Sequence, residues 1–333
     1  MAQATTYNQP SNREDLTNFL TILDPEDTPK LSSFPKTPRP SNVYQEWQMD
    51  SLAPVDFSGV VEGRDVQAFN NEAENRARIG SYIQRFRRPW AVSEEQEASD
   101  PAGIASEKAN SKTKAMQEVK RSIEACIGSD NDRQQGNGSV PNKLRALGDW
   151  IDSAGPADVP ATYRTPSASI DTTATASLTE ANFNAVFQSI FQRVGGARKY
   201  TLYAGPNLKK AISNFQRATG SNGTTKTYQV TQDAESHRID LNVSFYEGDF
   251  HTVEIIPDLF NGLLDGATPW SVTAQQQARG YVINRELVGI GTMIGMYSRE
   301  LEDQGGGPRG FVSTTLTLMC KNPAGLGKFA ATS

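Results

Sequence analysis

The amino-acid sequence predicts an α+β fold, on three observations. One long segment, from Pro101 to Ile127, carries an apolar stripe at helical spacing. Two aromatic-rich alternating stretches, over about 43–57 and 81–92, flank a charged connection. The second half opens as helix, strand, helix and continues as mostly β structure.

The long helix has a start, a face and an end. Asp100 can accept from the free N–H groups of a first turn, and Pro101 suits a first position that needs no donor. Met116, Val119, Ile123 and Ile127 follow in one stripe, which Ala105 and Ala109 extend backwards. Lys114–Glu118 and Lys120–Glu124 form i,i+4 pairs on the wet side, each contributing ~0.3 kcal/mol. Gly128 is placed to end the helix in the left-handed conformation. At ~1.5 Å per residue the rod is roughly 40 Å long and needs a long surface to lie along.

The two alternating stretches read as an extended hairpin. Val43, Gln45, Trp47 and Met49 alternate with Tyr44, Glu46, Gln48 and Asp50. The returning strand, 81–92, sets Tyr82, Phe86 and Trp90 against Ile83, Arg85 and Arg87. Between them, roughly 58–79, lie Glu62, Arg64, Asp65, Glu72, Glu74, Arg76 and Arg78. Neither face makes a core alone, and an isolated hairpin is marginal in water. Its aromatics therefore rest either on the chain's own body or on a neighbouring subunit.

Residues 1–42 read as an arm broken up by Pro10, Pro25, Pro29, Pro35, Pro38 and Pro40. Within it Arg13–Leu23 can form a short helix, capped by Ser11 or Asn12, with Leu16, Phe19, Leu20 and Leu23 as its apolar face. Asp24, Glu26 and Asp27 lack the ligand spacing and glycine of a calcium loop and read as a solvated turn.

After a polar loop at 129–140, Leu144–Ile151 reads as a short helix and 155–176 as a connection rich in Pro, Ser, Thr and Ala. Thr179 caps a helix to Val194, with Phe183, Val186, Phe187, Ile190 and Phe191 buried and Gly195-Gly196 as its stop. A strand at Lys199–Ala204 and a helix opened by Pro206 follow, then strands at Thr225–Thr231, Ile239–Tyr246, His251–Ile256 and Gly280–Asn284. Two further strands, Gly291–Leu301 and Gly310–Cys320, are joined by a glycine-rich turn, and the chain ends in a tied-down tail.

Composition narrows the function. The chain has 333 residues and a formal charge of −5, so binding nucleic acid by phosphate neutralisation is a poor fit. No apolar run is long enough to span a membrane, and the first residues lack the basic start and apolar block of a secretory signal. Cys126 and Cys320 read as buried free thiols of a reducing cytoplasm. His237 and His251 have no second ligand at metal spacing and read as ordinary strand or turn residues, since an acid–base site needs a neighbouring carboxylate together with a cleft. Gly305 to Gly310 spells G-x-G-x-x-G, but Pro308 interrupts it and a strand follows, so it reads as a turn and not a phosphate cradle. Around Lys328, position 322 is Asn where a phosphate-binding loop needs Gly. The tracts at Asn137 and Asn222 that match glycosylation letters read as turns. No catalytic residue, metal ligand or cofactor site emerges.

Several tracts resemble a family of tailed-bacteriophage major head proteins. They are Arg13-Glu14-Asp15-Leu16 with Asp24-Pro25-Glu26-Asp27-Thr28-Pro29, then Tyr44 to Ala53, Val61-Glu62-Gly63, Ile79-Gly80-Ser81-Tyr82 and Val92-Ser93. Glu118 to Glu124 in the long helix and Leu144 to Ile151 complete a match that is densest over about 11–155. The resemblance implies the Hong Kong 97-type capsid fold. Its parts would be an N-terminal arm at 1–42, an extended loop at 43–97, a peripheral domain with a spine helix at 98–155 and 285–333, and an axial domain at 156–284. It further implies a structural subunit that forms hexamers and pentamers around packaged double-stranded DNA, touched weakly and non-specifically. Candidate further partners are portal and decoration proteins and either a separate scaffold protein or none, since about forty residues before the hairpin leave no room for a fused scaffold. Assembly would take place in the host cytoplasm. Interface candidates on this reading are Arg13, Asp15, Tyr44, Trp47, Asp50, Glu62, Arg64, Arg76, Arg78, Arg85, Phe86 and Trp90. Some capsids of this fold join a Lys to an Asn covalently; Lys321-Asn322 is not assigned that role. The rival readings are an encapsulin-like nanocompartment shell, a soluble α/β enzyme with an unrecognised motif, and a monomeric binding module.

Overall fold

The computed structural model describes residues 22, 24–66, 69, 71, 75–99, 102–195, 199–215, 232–233, 238–239, 243–248, 251–269 and 271–331. The expected Arg13–Leu23 helix with its interface candidates Arg13 and Asp15, the Asp100–Pro101 helix start, the Thr225–Thr231 strand, Gly196 and His237 lie outside these residues.

In chain order the elements are α1 (Pro29–Ser33), β1 (Tyr44–Met49), β2 (Ala77–Tyr82), β3 (Gln84–Ala91), α2 (Glu94–Ala98), α3 (Glu107–Ile127) and α4 (Leu147–Trp150). Then come β4 (Ile170–Asp171), α5 (Glu180–Val194), β5 (Lys199–Ala204), α6 (Pro206–Asn214), β6 (Gln232–Asp233), β7 (Arg238–Ile239), β8 (Phe245–Glu247) and β9 (Thr252–Pro257). The chain closes with α7 (Ala274–Gln277), β10 (Gly280–Ile283), β11 (Val288–Leu301), β12 (Arg309–Cys320) and β13 (Gly327–Phe329).

The expected long helix is α3, but it starts at Glu107 and not at Pro101. Gly103 has φ +79°, a conformation that interrupts a helix. The start is capped from two sides: Ser106 Oγ accepts from Ala109 N at 3.3 Å, and Glu97 Oε2 accepts from Lys108 N at 2.9 Å. The apolar stripe holds over the second half of the helix, where Val119, Ile123 and Ile127 are buried; upstream Ala115 takes the buried place next to half-buried Met116, and Ala105 and Ala109, expected to extend the stripe, are exposed.

The chain forms two compact units. The smaller combines the described part of Met1–Glu26 with Arg87–Val119 and Tyr297–Ser313. Here Trp90 is buried, and a Cβ on Gly310 would meet its ring at 2.7 Å, so glycine is required by close approach. The glycine-rich turn is organised by Asp303, whose Oδ1 accepts from the N–H groups of Gly305, Gly306 and Gly307 at 2.9–3.1 Å. It is a hairpin turn, as its letters indicated.

The larger unit holds a six-stranded sheet in the order β4-β13-β10-β5-β9-β8. β5 runs parallel to β9 and antiparallel to β10, while the tail strand β13 joins between β10 and β4. The tail thus belongs to the same sheet as β5. α5 is capped by Thr179, which accepts from Asn182 N, and it lays Phe183, Val186, Phe187 and Ile190 on this sheet with Leu208 and Ile212 of α6. A separate sheet has the order β11-β12-β3.

One buried cluster ties α1 into this unit. Lys30, Glu124, Asp258 and Asn261 are 0–2 % exposed. Lys30 Nζ pairs with Asp258, lies 3.3 Å from Glu124 Oε1 and donates to Asn261 Oδ1 at 3.0 Å. Glu124 also accepts from the backbone N–H of Lys30 and of Leu31, both at 2.8 Å, so it caps a helix whose own Thr28 makes no cap. Glu124 is therefore not on the wet side with Lys120. Gly128 is likewise not left-handed. A Cβ there would meet Phe260 O at 2.9 Å and Lys30 Nζ at 3.0 Å, so the glycine makes room for the lysine.

Cys320 is buried and Cys126 only half-buried; both are free thiols. Burial pushes the Cys126 thiol up to about 12 and raises Cys320 as well, which keeps both protonated and unreactive.

Candidate assembly surface

The expected hairpin is built differently from the sequence reading. The returning stretch breaks at Ile83 into two strands. β2 pairs antiparallel with β1, from Tyr44 opposite Tyr82 to Met49 opposite Ala77, while β3 joins β12. Ile83 N donates to Val43 O at 2.9 Å and closes the base of this two-stranded ribbon.

The ribbon is anchored through its aromatics. Trp47 packs on buried Trp150 with ring centroids 5.6 Å apart. Tyr44 lies 4.7 Å from Tyr82 and under the Arg133 guanidinium, which also donates to the Tyr44 hydroxyl. Ser81 Oγ accepts from Arg145 N at 2.9 Å. Arg145 is itself 1 % exposed and surrounded by Asp132, Asp149 and Asp158. Its Nε–H is directed at Asp132, so the 2.8 Å approach to Asp149 is an ion pair and not a hydrogen bond. Burial and the neighbouring Asp132 charge, opposed by Arg145, push the Asp149 carboxyl up to about 7.

Of the interface candidates, Phe86 and Trp90 are buried within the chain itself, which leaves little of either side chain at the surface. Trp47 is half-buried on Trp150. Asp50 pairs with Arg76 at 3.0 Å and Glu46 with Arg78 at 3.6 Å across the exposed ribbon. Such exposed pairs hold register more than they add stability. Glu62, Arg64 and Arg85 are exposed.

The strongest surface feature spans the second half of the stretch expected as a strand, 43–57, and the start of the expected polar connection, 58–79. Strand β1 ends at Met49, and 50–66 carries no regular structure beyond a turn at Glu62-Gly63. Along this connection Leu52, Val55, Phe57, Val60, Val61, Val66 and Phe69 are 69–97 % exposed. So many large apolar side chains on one connection is unusual for a chain that stays alone in water. The signal was present in the letters, but the interleaved Asp56, Glu62, Arg64 and Asp65 mask it in any averaged reading.

The described residues combine a ribbon that carries a long, exposed apolar connection with a long helix and a six-stranded mixed sheet. The architecture matches that of phage shell subunits. A Mycobacterium phage Adephagia structure matches with a TM-score of 0.64 at 10% identity, covering 100% of this chain and 99% of that one. The capsid of a native GTA particle matches at 0.59 and 9% identity, covering all of both chains. The bacteriophage PhiM1 mature capsid matches at 0.57 and 10% identity, covering 97% of this chain and 91% of that one. No curated protein matches. Residues 2–333 match the family model of the SU10 major capsid protein, and the chain belongs to that family. Its fold is the Hong Kong 97-like α+β fold, and it is a structural subunit of a phage head, self-associating into hexamers and pentamers.

Proposed function

We propose that the subunits are held together chiefly by the apolar connection at 50–69, which seats on a second copy of the chain. The exposure of Leu52, Phe57 and Phe69 at 88–97 % carries this reading, since burying them on a neighbour removes that surface from water. At ~25 cal/mol/Å², each large side chain covered contributes roughly 1.5–3 kcal/mol before association costs, and a closed shell repeats the contact by symmetry. Residues 1–42 serve as the arm, 43–97 as the extended loop, 98–155 with 285–333 as the peripheral domain and 156–284 as the axial domain. The tail strand β13 is supported instead as part of the axial sheet. The role is structural, with no reaction catalysed. Portal, scaffold and decoration proteins are the further partners, packaged DNA is contacted weakly, and assembly takes place in the host cytoplasm.

The test replaces Leu52, Phe57 and Phe69 together by Ser and images the purified product by negative-stain electron microscopy, with its mass measured alongside. Loss of closed shells or rings with an unchanged melting temperature supports the reading. Normal shells remove the loop from the assembly contact.

A further inference from the structure

The loop before β4 and the C-terminal half of α5 border an open cleft of 720 Å³. Two arginines line it, together with the polar side chains of Ser153, Ser167, Ser189 and Gln192, and its lining includes no carboxylate. Arg164 is clamped by backbone carbonyls: Nε donates to Val159 O at 2.8 Å, Nη1 to Ala154 O at 2.6 Å and Nη2 to Pro156 O at 3.3 Å. Arg193, near the end of α5, donates to Thr162 O. Among the described residues neither guanidinium meets an acid, in a chain that carries five more acidic than basic groups. Carbonyl partners hold the two cations in place without cancelling their charge.

We propose that this cleft binds a phosphate oxyanion through Arg164 and Arg193, with the serine hydroxyls and the Gln192 amide completing the donor set. A guanidinium presents donors in a fixed fork that matches phosphate geometry, and each keeps N–H groups beyond those given to the carbonyls. Because the Arg164 fork is already held by three carbonyls, little of its side-chain entropy is lost on binding. The volume exceeds that of a bare ion and fits a phosphoester with its flanking groups. The same chemistry is offered by free phosphate and by a nucleic-acid backbone.

The full purified chain is titrated by calorimetry with sodium phosphate against sodium chloride of equal ionic strength, and separately with a short double-stranded DNA. Arg193→Gln removes one cation, and Gln192→Glu places an acid in the cleft; both positions are exposed, so either decides the matter if the other misfolds. Phosphate-specific heat that weakens about tenfold in the variants supports the site. DNA binding that is displaced by phosphate and weakened in parallel identifies a nucleic-acid backbone as the source, whereas phosphate binding alone identifies the free ion. Phosphate heat equal to that of chloride, or equal affinity in wild type and both variants, overturns the proposal.

Discussion

The ammonium of Lys30 stands 3.3 Å from the carboxylate of Glu124, with both side chains fully shielded from solvent. An arm residue and a residue of α3, far apart in sequence, share one dry site with Asp258 and Asn261. Burial alone would lower the lysine pKa, but the Asp258 and Glu124 charges override it and raise it, so the amine stays charged. Removing one member of such a cluster is costly because the others are left buried and uncompensated. Lys30→Met is expected to lower stability by about 3–5 kcal/mol at neutral pH. The loss should shrink in acid, where the stranded Glu124 carboxyl, whose pKa burial already raises, takes up a proton. Urea unfolding at pH 5 and pH 7.5 checks both; a loss under 1 kcal/mol, or one independent of pH, would show that the cluster does not hold the arm.

Gly128 gives a second, independent probe of that site. Gly128→Ala brings a methyl to within 2.9 Å of Phe260 O and 3.0 Å of Lys30 Nζ. The backbone oxygen cannot yield as a side chain would, and Gly128 O also accepts from the Tyr281 hydroxyl at 2.9 Å. A loss of about 1–3 kcal/mol is expected, the usual cost of overpacking. Gly→Ala inside or at the end of an unstrained helix would instead be neutral or stabilising, so the sign of the change in urea midpoint separates the two accounts.

How much of this was legible in the letters varies with the range of the interaction. The stripe Val119, Ile123, Ile127 and the Thr179 cap are local, so spacing alone finds them. Glu124 was misplaced because Lys120, one turn away, offers a surface pair, while its real partner lies in a proline-broken arm with no pattern of its own. The split at Ile83 was hidden because alternation continues through it; only the choice of partner, β1 for β2 and β12 for β3, reveals the break. Trp90 and Phe86 read as unsupported aromatics for the same reason. The apolar connection at 50–69 was visible letter by letter, but exposure is a tertiary property that no periodicity reports.

Trp47 and the loop apolars should separate folding from assembly. Trp47 rests on Trp150 within its own chain, so Trp47→Ala is expected to cost about 2–4 kcal/mol of stability in urea unfolding of the dissociated subunit. Phe57→Ser, at a residue 93 % exposed, should leave that stability within about 0.5 kcal/mol. Were the two to trade places, with Phe57→Ser unfolding the chain and Trp47→Ala leaving its stability unchanged, the ribbon would be anchored by its loop and not by its base.

Asp149 sets the expected pH response. Its carboxyl sits near pH 7 in the folded chain against an ordinary value of 3.8, so the folded state binds the proton more tightly than the unfolded state does. The sign follows from linkage: this group's contribution is complete below its unfolded pKa, declines as pH rises through the interval, and is gone above about 7. The charges facing Asp149 are Arg145, which is its partner, Asp132 and Asp152, which oppose ionisation, and Lys328, which donates to Gly148 O at 2.9 Å beside it. Asp132 is 63 % exposed and can turn to water, which caps the effect at a few kcal/mol. Asp149→Asn keeps the shape and removes the charge, so its advantage over the wild type should grow between pH 5 and pH 8. Urea midpoints across that range provide the measurement, and parallel curves for the two proteins would mean that Asp149 does not titrate there. Because Ser81 accepts from Arg145 and Trp47 packs on Trp150, the same titration acts at the base of the β1–β2 ribbon. Protection of the β1 amides, taken relative to the intrinsic exchange rate at each pH, is therefore expected to fall between pH 5 and about pH 7 in the wild type, and to fall less in the variant.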